Sequence, residues 1–239
     1  MRNTQSGFTL VEIAIVLVII GLLLGGVLKG QELINSAKVK NFATDFRNIP
    51  LFIYGYQDKF KALPGDDGGA DAHIGGNCAT TTCQVPTGTA NLNNGRLDGN
   101  WWDGHDGNAA PNSEAFMFWR QVREANLAAG PSNTTDPQYI PRNADGGLIG
   151  IQSGSPAYIT GMTGTYTVCS SGILGKFAKQ LDVNMDDGQP FTGSIRAVKG
   201  KPTANGNTAS CVKNADGSTP TGCTDVITDS DSYTVCMTF

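Results

Sequence analysis

Two hydrophobic patterns follow one another along the first quarter of the chain. From Phe8 to Leu28 the apolar residues run almost without a break, and Glu12 is the one ionisable side chain among them. A helix over this run is roughly 31 Å long at ~1.5 Å per residue, which matches a hydrocarbon core of ~30 Å. From Leu33 onward the pattern becomes one-sided. Leu33, Ala37, Phe42, Phe46, Ile49, Ile53, Tyr56 and Phe60 recur near the helical period, which predicts an amphipathic continuation of the same helix. That helix is expected to end near Leu63-Pro64-Gly65-Asp66.

Beyond about Lys61 the composition shifts to Gly, Asp, Asn and Thr, and Asn77–Asp106 reads as a long loop. A second helix is predicted over Ser113–Ala128, with Phe116, Trp119, Val122 and Leu127 on its apolar side. Short strands are predicted at Leu148–Gln152, Tyr166–Cys169, Ile195–Val198 and Tyr233–Phe239, with a helix at Ile173–Leu181. The expected fold is α+β: a long hydrophobic N-terminal helix on a small antiparallel sheet, with further helices and stapled loops. The divisions are residues 8–28 for the membrane or core helix, 29–62 for its amphipathic continuation and 63–239 for a globular domain.

Composition sharpens this picture. Gly supplies 31 of 239 residues, above the usual ~7%, which suits a loop-rich domain. The net charge is −4 with 17 Lys and Arg. Arg196, Lys199, Lys201 and Lys213 are too few for a broad basic face, so no nucleic-acid partner is expected. Gly21, Gly25, Gly26 and Gly30 allow close helix approach and also weaken the helix.

The chain has six cysteines, Cys78, Cys83, Cys169, Cys211, Cys223 and Cys236. In an exported domain they suit disulfides. Cys78 and Cys83 have ligand-like spacing, but the companion pair a zinc site requires is missing. Tyr166-Thr167-Val168-Cys169 is nearly repeated at Tyr233-Thr234-Val235-Cys236. Paired strands would set Cys169 against Cys236, leaving Cys78–Cys83 and Cys211–Cys223 as local loops; chance similarity in a Thr-rich domain is the alternative.

At Gly7-Phe8-Thr9-Leu10-Val11-Glu12, after a short leader and before an apolar helix, the chain resembles the class III signal of type IV pilins and type II secretion pseudopilins. The resemblance implies a leader of residues 1–7, cut by a prepilin peptidase between Gly7 and Phe8, with methylation of the new Phe8 amine. It implies an inner-membrane protein with its C-terminal domain in the periplasm, later built into a pilus (fimbrium) or pseudopilus. Partners would be other pilins, the assembly platform and membrane lipid. Glu12 would then pair with the Phe8 ammonium of a neighbouring subunit, giving each buried charge an opposite one; the alternative is a carboxylate that reaches the headgroups. In several filaments of the family this helix is partly extended, and the glycine cluster is where that would occur here, since the first proline is Pro50. A pilin-like C-terminal disulfide loop fits Cys211–Cys223.

More loosely, Lys61–Asp66, Glu114–Trp119 and Met185–Pro190 are similar to segments of a proteobacterial group of prepilin-like proteins. The implied function is a structural filament subunit. A type II secretion pseudopilin, or an adhesin or DNA-uptake minor pilin, is the alternative.

Two groups of acids remain. Asp182, Asn184, Asp186 and Asp187 place oxygen side chains as the start of a calcium loop does. The glycine comes one residue late and the twelfth position holds no glutamate, so a solvated turn is the competing reading. Some pseudopilins bind calcium near the C-terminus. Asp98, Asp103 and Asp106, around Trp101-Trp102, are a second calcium candidate; no other cofactor is expected. Trp101 and Trp102 are expected as buried lids over the sheet. For catalysis, only His73 and His105 are available, no recognised catalytic motif occurs, and Asp66, Asp67 and His73 are ordinary loop residues, so no enzyme is predicted.

Overall fold

The computed structural model describes residues 9–76, 78, 82–85, 91–104, 112–155, 157–159, 161–200 and 227–239. Helix α1, Leu10–Phe60, is one continuous element of 51 residues, about 77 Å long at ~1.5 Å per residue. It passes through Gly21–Gly30 in helical conformation, and through Pro50 at the loss of one backbone hydrogen bond. It stops at Lys61, whose left-handed backbone (φ 56°) turns the chain while its N–H bonds to the Gln57 carbonyl. This is a few residues before the predicted stop.

The buried stripe of α1 is Val39, Phe42, Ala43, Phe46, Ile49, Ile53 and Tyr56. Leu33 and Ala37, which the periodicity assigns to the same stripe, are exposed. The described part of the domain comes alongside this stretch, where Lys38 pairs with Asp145, but leaves these two side chains uncovered.

Helix α2, Ala70–Ile74, is a single short turn the sequence reading does not anticipate. Helix α3, Glu114–Glu124, is capped by the Ser113 side chain, which accepts from the Phe116 N–H. It ends short of the predicted Ala128 because Asn126 is left-handed (φ 60°) and returns the chain to the Val122 carbonyl.

The sheet comprises β1 (Ile149–Ser153), β2 (Tyr166–Leu174), β3 (Ile195–Lys199) and β4 (Ser232–Thr238), all antiparallel in the order β1-β2-β4-β3. Helix α4, Gly175–Met185, joins β2 to β3. Here the prediction is displaced. Ile173 and Leu174 belong to β2, and the helix runs on to Met185. The strand survives the turn-like Ser170-Ser171-Gly172 because the register against β4 slips by one residue there, a bulge in which Gly172 takes φ 75°.

Alternation sorts the sheet residues onto two faces. Ile149, Ile151, Val168, Ile195, Ala197 and Val235 join the main core with the stripe of α1, Phe116 to Trp119 of α3, and Phe177 and Leu181 of α4. The other face carries Cys169, Val198 and Cys236 beneath Trp101, Trp102, Tyr158, Ile159 and Met162. Trp101 and Trp102 are therefore buried over the sheet, as expected. Cys169 stands opposite Cys236 and is disulfide-bonded to it. Cys78 and Cys83 form the second disulfide. Cys211, Cys223, Lys201 and Lys213 lie outside the described residues.

Candidate functional site

Among the described residues nothing of the chain covers α1 from Leu10 to Leu28. Large apolar residues between Leu10 and Leu28 are 46–86% exposed, and this helix is long and apolar enough to cross a membrane. At its start Thr9 is the N-cap. Its hydroxyl accepts from the Glu12 N–H at 3.3 Å, while Glu12 Oε2 accepts from the Thr9 N–H at 2.8 Å and the Thr9 hydroxyl at 2.7 Å. This is a reciprocal capping box, which satisfies donors that the first turn otherwise leaves open. The carboxylate therefore has a local role that the sequence reading overlooks, although Thr9-x-x-Glu12 carries the signature. Both bonds fall on Oε2, which leaves acceptor capacity on Glu12. Gly7 and Phe8 lie outside the described residues.

The acids of the loop candidate behave differently from their sequence pattern. Because α4 extends to Met185, Asp182 and Asp186 meet through helical spacing, while Asn184 falls about 200° around the axis from Asp182. Asn184 borders a groove between α4 and α1, lined also by Lys40 and Val183. Asp182, Asp186 and Asp187 each bring a carboxylate oxygen within 4.8 Å of the others. Burial, then the charges of Asp187 and Asp186, push the Asp182 carboxyl up to about 7, and the Gly188 N–H offsets part of this. The exposed Asp187 is shifted down by hydrogen bonds from the Thr192 hydroxyl and the Gln189 N–H.

Of the second acidic candidate, Asp98 and Asp103 are among the described residues. Asp98 faces the Asn94 amide and, at 3.9 Å, Arg96. Asp103 is buried and accepts from the Asn100 backbone at 2.8 Å and from its side chain at 3.2 Å. Asp106 and His105 lie outside the described residues.

Asp67, Tyr56 and His73 do come together. Asp67 Oδ2 accepts from the Tyr56 hydroxyl at 2.7 Å and lies 2.8 Å from His73 Nδ1, and Phe60 stacks on the imidazole. Asp66 turns away, accepting from the N–H groups of Asn94 and Gly95. These bonds fasten the chain after α1 to α2 and to the 93–95 loop. Nearby Glu114 is fully buried, with Oε2 accepting from the Asp98 N–H and Oε1 unpaired. Burial pushes its carboxyl up to about 7. Of the basic residues, Lys199 pairs with Asp231 at 2.8 Å, and Arg196 donates to the Gly193 carbonyl.

Comparison with known proteins places the signal where the exposed helix begins. Residues 2–28 match the prokaryotic N-terminal methylation motif. The match supports a prepilin of the type IV pilin or pseudopilin type, and the apolar helix, four-stranded antiparallel sheet and disulfides form an α+β fold of pilin-like architecture. A motif of this kind points to a structural protein rather than an enzyme, and fits anchoring in the inner membrane before assembly. No curated protein and no solved structure matches the chain.

Proposed function

We propose that the protein is a structural subunit of a type IV pilus-like filament. It would be held in the inner membrane with its C-terminal domain periplasmic, processed between Gly7 and Phe8, methylated on Phe8 and extracted into a polymer of itself or other pilins. The observation that carries this reading is the exposed apolar segment of α1 from Leu10 to Leu28, with Glu12 as its only ionisable side chain, inside the methylation motif. An apolar helix exposed on all sides needs lipid or neighbouring helices around it. Glu12 supplies register: a neighbour's Phe8 ammonium would meet its carboxylate, and sliding by a turn would separate the pair.

The test has two stages. Mass spectrometry of the mature chain is expected to find N-methyl-phenylalanine from Phe8 at its start; a chain still beginning at Met1 overturns the reading. Glu12→Leu is then expected to be inserted and cleaved but excluded from filaments, at a loss of about 3–5 kcal/mol as for other broken buried pairs. Methylation is measured alongside, and Glu12→Asp is expected to assemble partly. Wild-type incorporation of Glu12→Leu would refute the pairing.

A further inference from the structure

On the part of α1 that the domain covers, Asp45, Ile49 and Phe52 stand four and three residues apart and so share one face of the helix. Opposite them α3 presents Trp119 and Arg123, again four residues apart. Between these faces lies a cleft of about 270 Å³, bordered on the sheet side by Ile149. Its volume falls near the lower end of ligand pockets, which run ~300–1,000 Å³.

Two charged groups line the cleft, and only one of them is engaged. Arg123 donates from Nε to the Ala129 carbonyl and from Nη1 to the carbonyls of Pro131 and Tyr139, at 2.8 and 2.6 Å, while its guanidinium lies over the rings of Trp119 and Tyr139. Asp45 has no such anchorage. Among the described residues no basic side chain pairs with it; its neighbour on the helix, Lys38, is taken by Asp145. Burial alone pushes the Asp45 carboxyl up to about 6, with no hydrogen bond or nearby charge pulling it back.

A half-buried carboxylate beside apolar side chains favours a cation that brings apolar surface of its own. A metal ion is the poorer match, because one carboxylate supplies few of the roughly 6–8 oxygens that calcium takes, and Ile49, Phe52 and Ile149 offer none. Arg123 adds a limit, since its positive charge on the same cleft disfavours a second cationic centre. We infer that the cleft binds a small organic monoamine, with its ammonium on Asp45 and its alkyl part against Ile49, Phe52 and Trp119. The bound amine would bridge α1 to α3 and so add to the domain's hold on the long helix. The inference rests on this cleft alone and stands apart from the filament reading.

The test uses the full chain in detergent micelles, with protein-free micelles as the blank. Saturation-transfer difference NMR with n-pentylammonium chloride is expected to show saturable binding with a Kd on the order of 1 mM, the range open to a ligand of about six heavy atoms. Pentan-1-ol, which lacks the charge, and pentane-1,5-diammonium, which carries two, are each expected to bind at least fivefold more weakly. Asp45→Asn keeps the shape and removes no bond within the described residues, so it is expected to melt like the wild type and to bind at least tenfold more weakly. Ala128→Phe, at a half-buried position lining the cleft, is expected to fill it and abolish binding, whereas Asp58→Asn, farther along α1, is expected to bind as the wild type does. Absence of saturable binding in the wild type, or undiminished binding by Asp45→Asn or Ala128→Phe, overturns the site. Equal binding of the diammonium overturns the limit to one charge. Tighter binding of a lysyl peptide than of n-pentylammonium overturns the free amine in favour of a side chain from another protein.

Discussion

The two halves of α1 are built from similar residues and have opposite surroundings. Between Leu10 and Leu28 the large apolar side chains are 46–86% exposed, whereas the stripe from Val39 to Tyr56 is 0–6% exposed. The difference lies in the arrangement of the residues. In the second half Arg47, Asp58 and other polar residues occupy the outer face, so one side of the helix has to be covered and the domain covers it. Between Leu10 and Leu28 every side is apolar, and the described part of the domain covers none of them. A one-sided stripe finds its partner within the chain, and an all-round one needs a different solvent or several neighbours.

The strongest way to break the comparison is to make both halves equally dispensable to the domain. Phe46→Ala is expected to destabilise it by about 3–5 kcal/mol, whereas Val18→Ala is expected to change it by less than ~0.5 kcal/mol. Denaturant melts of the full chain in micelles, read by tryptophan fluorescence, compare the two. Equal effects would mean that the exposed half also packs on the domain.

The covalent cross-links sharpen the contrast on the domain side. Cys169–Cys236 spans a sequence separation of 67, against 5 for Cys78–Cys83. In the loop-entropy view, replacing the first pair by Ser costs about 4 kcal/mol and the second about 2 kcal/mol. The same melts measure this, and a reversed order would show that local strain outweighs loop closure.

A smaller effect concerns pH. Glu114 ordinarily titrates near 4.5 and is raised to about 7 in the fold by burial, with Asp66 and Asp98 adding to the rise. As pH climbs from about 4.5 to about 7 the unfolded chain loses this proton first. The residue's contribution to stability therefore falls across that window and is flat above it. Glu114→Gln is expected to remove its share of the slope and gain roughly 2–3 kcal/mol at pH 8, keeping the acceptor for the Asp98 N–H. No gain at pH 8 would contradict the assignment. Smallest of all, Thr9→Ala removes the cap of the exposed half and is expected to cost about 1 kcal/mol of local helix stability. Amide exchange over the first turn is the measurement, and the domain melt is expected to stay unchanged.

The legibility of the chain follows the same division. The apolar run, the stripe of α1 and the positions of the four strands could be read because each follows a clear period. The continuation of β2 past Cys169 could not, since Ser170-Ser171-Gly172 reads as a turn and only pairing with β4 converts it into a bulge. That miss displaced α4 and hid why Asp182 and Asp186 meet: alternate spacing suggested a loop, while helical spacing produces the contact and excludes Asn184. Leu33 shows the reverse failure. Periodicity tells which face is apolar but not how far the domain extends along it.

The capping box also bears on how the end of α1 would change partners in the proposed filament. Thr9 occupies only Oε2 of Glu12, so an arriving ammonium would bind the second oxygen before the first contact lets go. Exchange would then be associative, with the new bond formed ahead of the old one's release, and its barrier would contain no step in which an apolar environment surrounds a bare carboxylate. Replacing Glu12 by a side chain with a single acceptor oxygen would force the dissociative route, and the slowdown would appear in the rate of the exchange rather than in the stability of either end state.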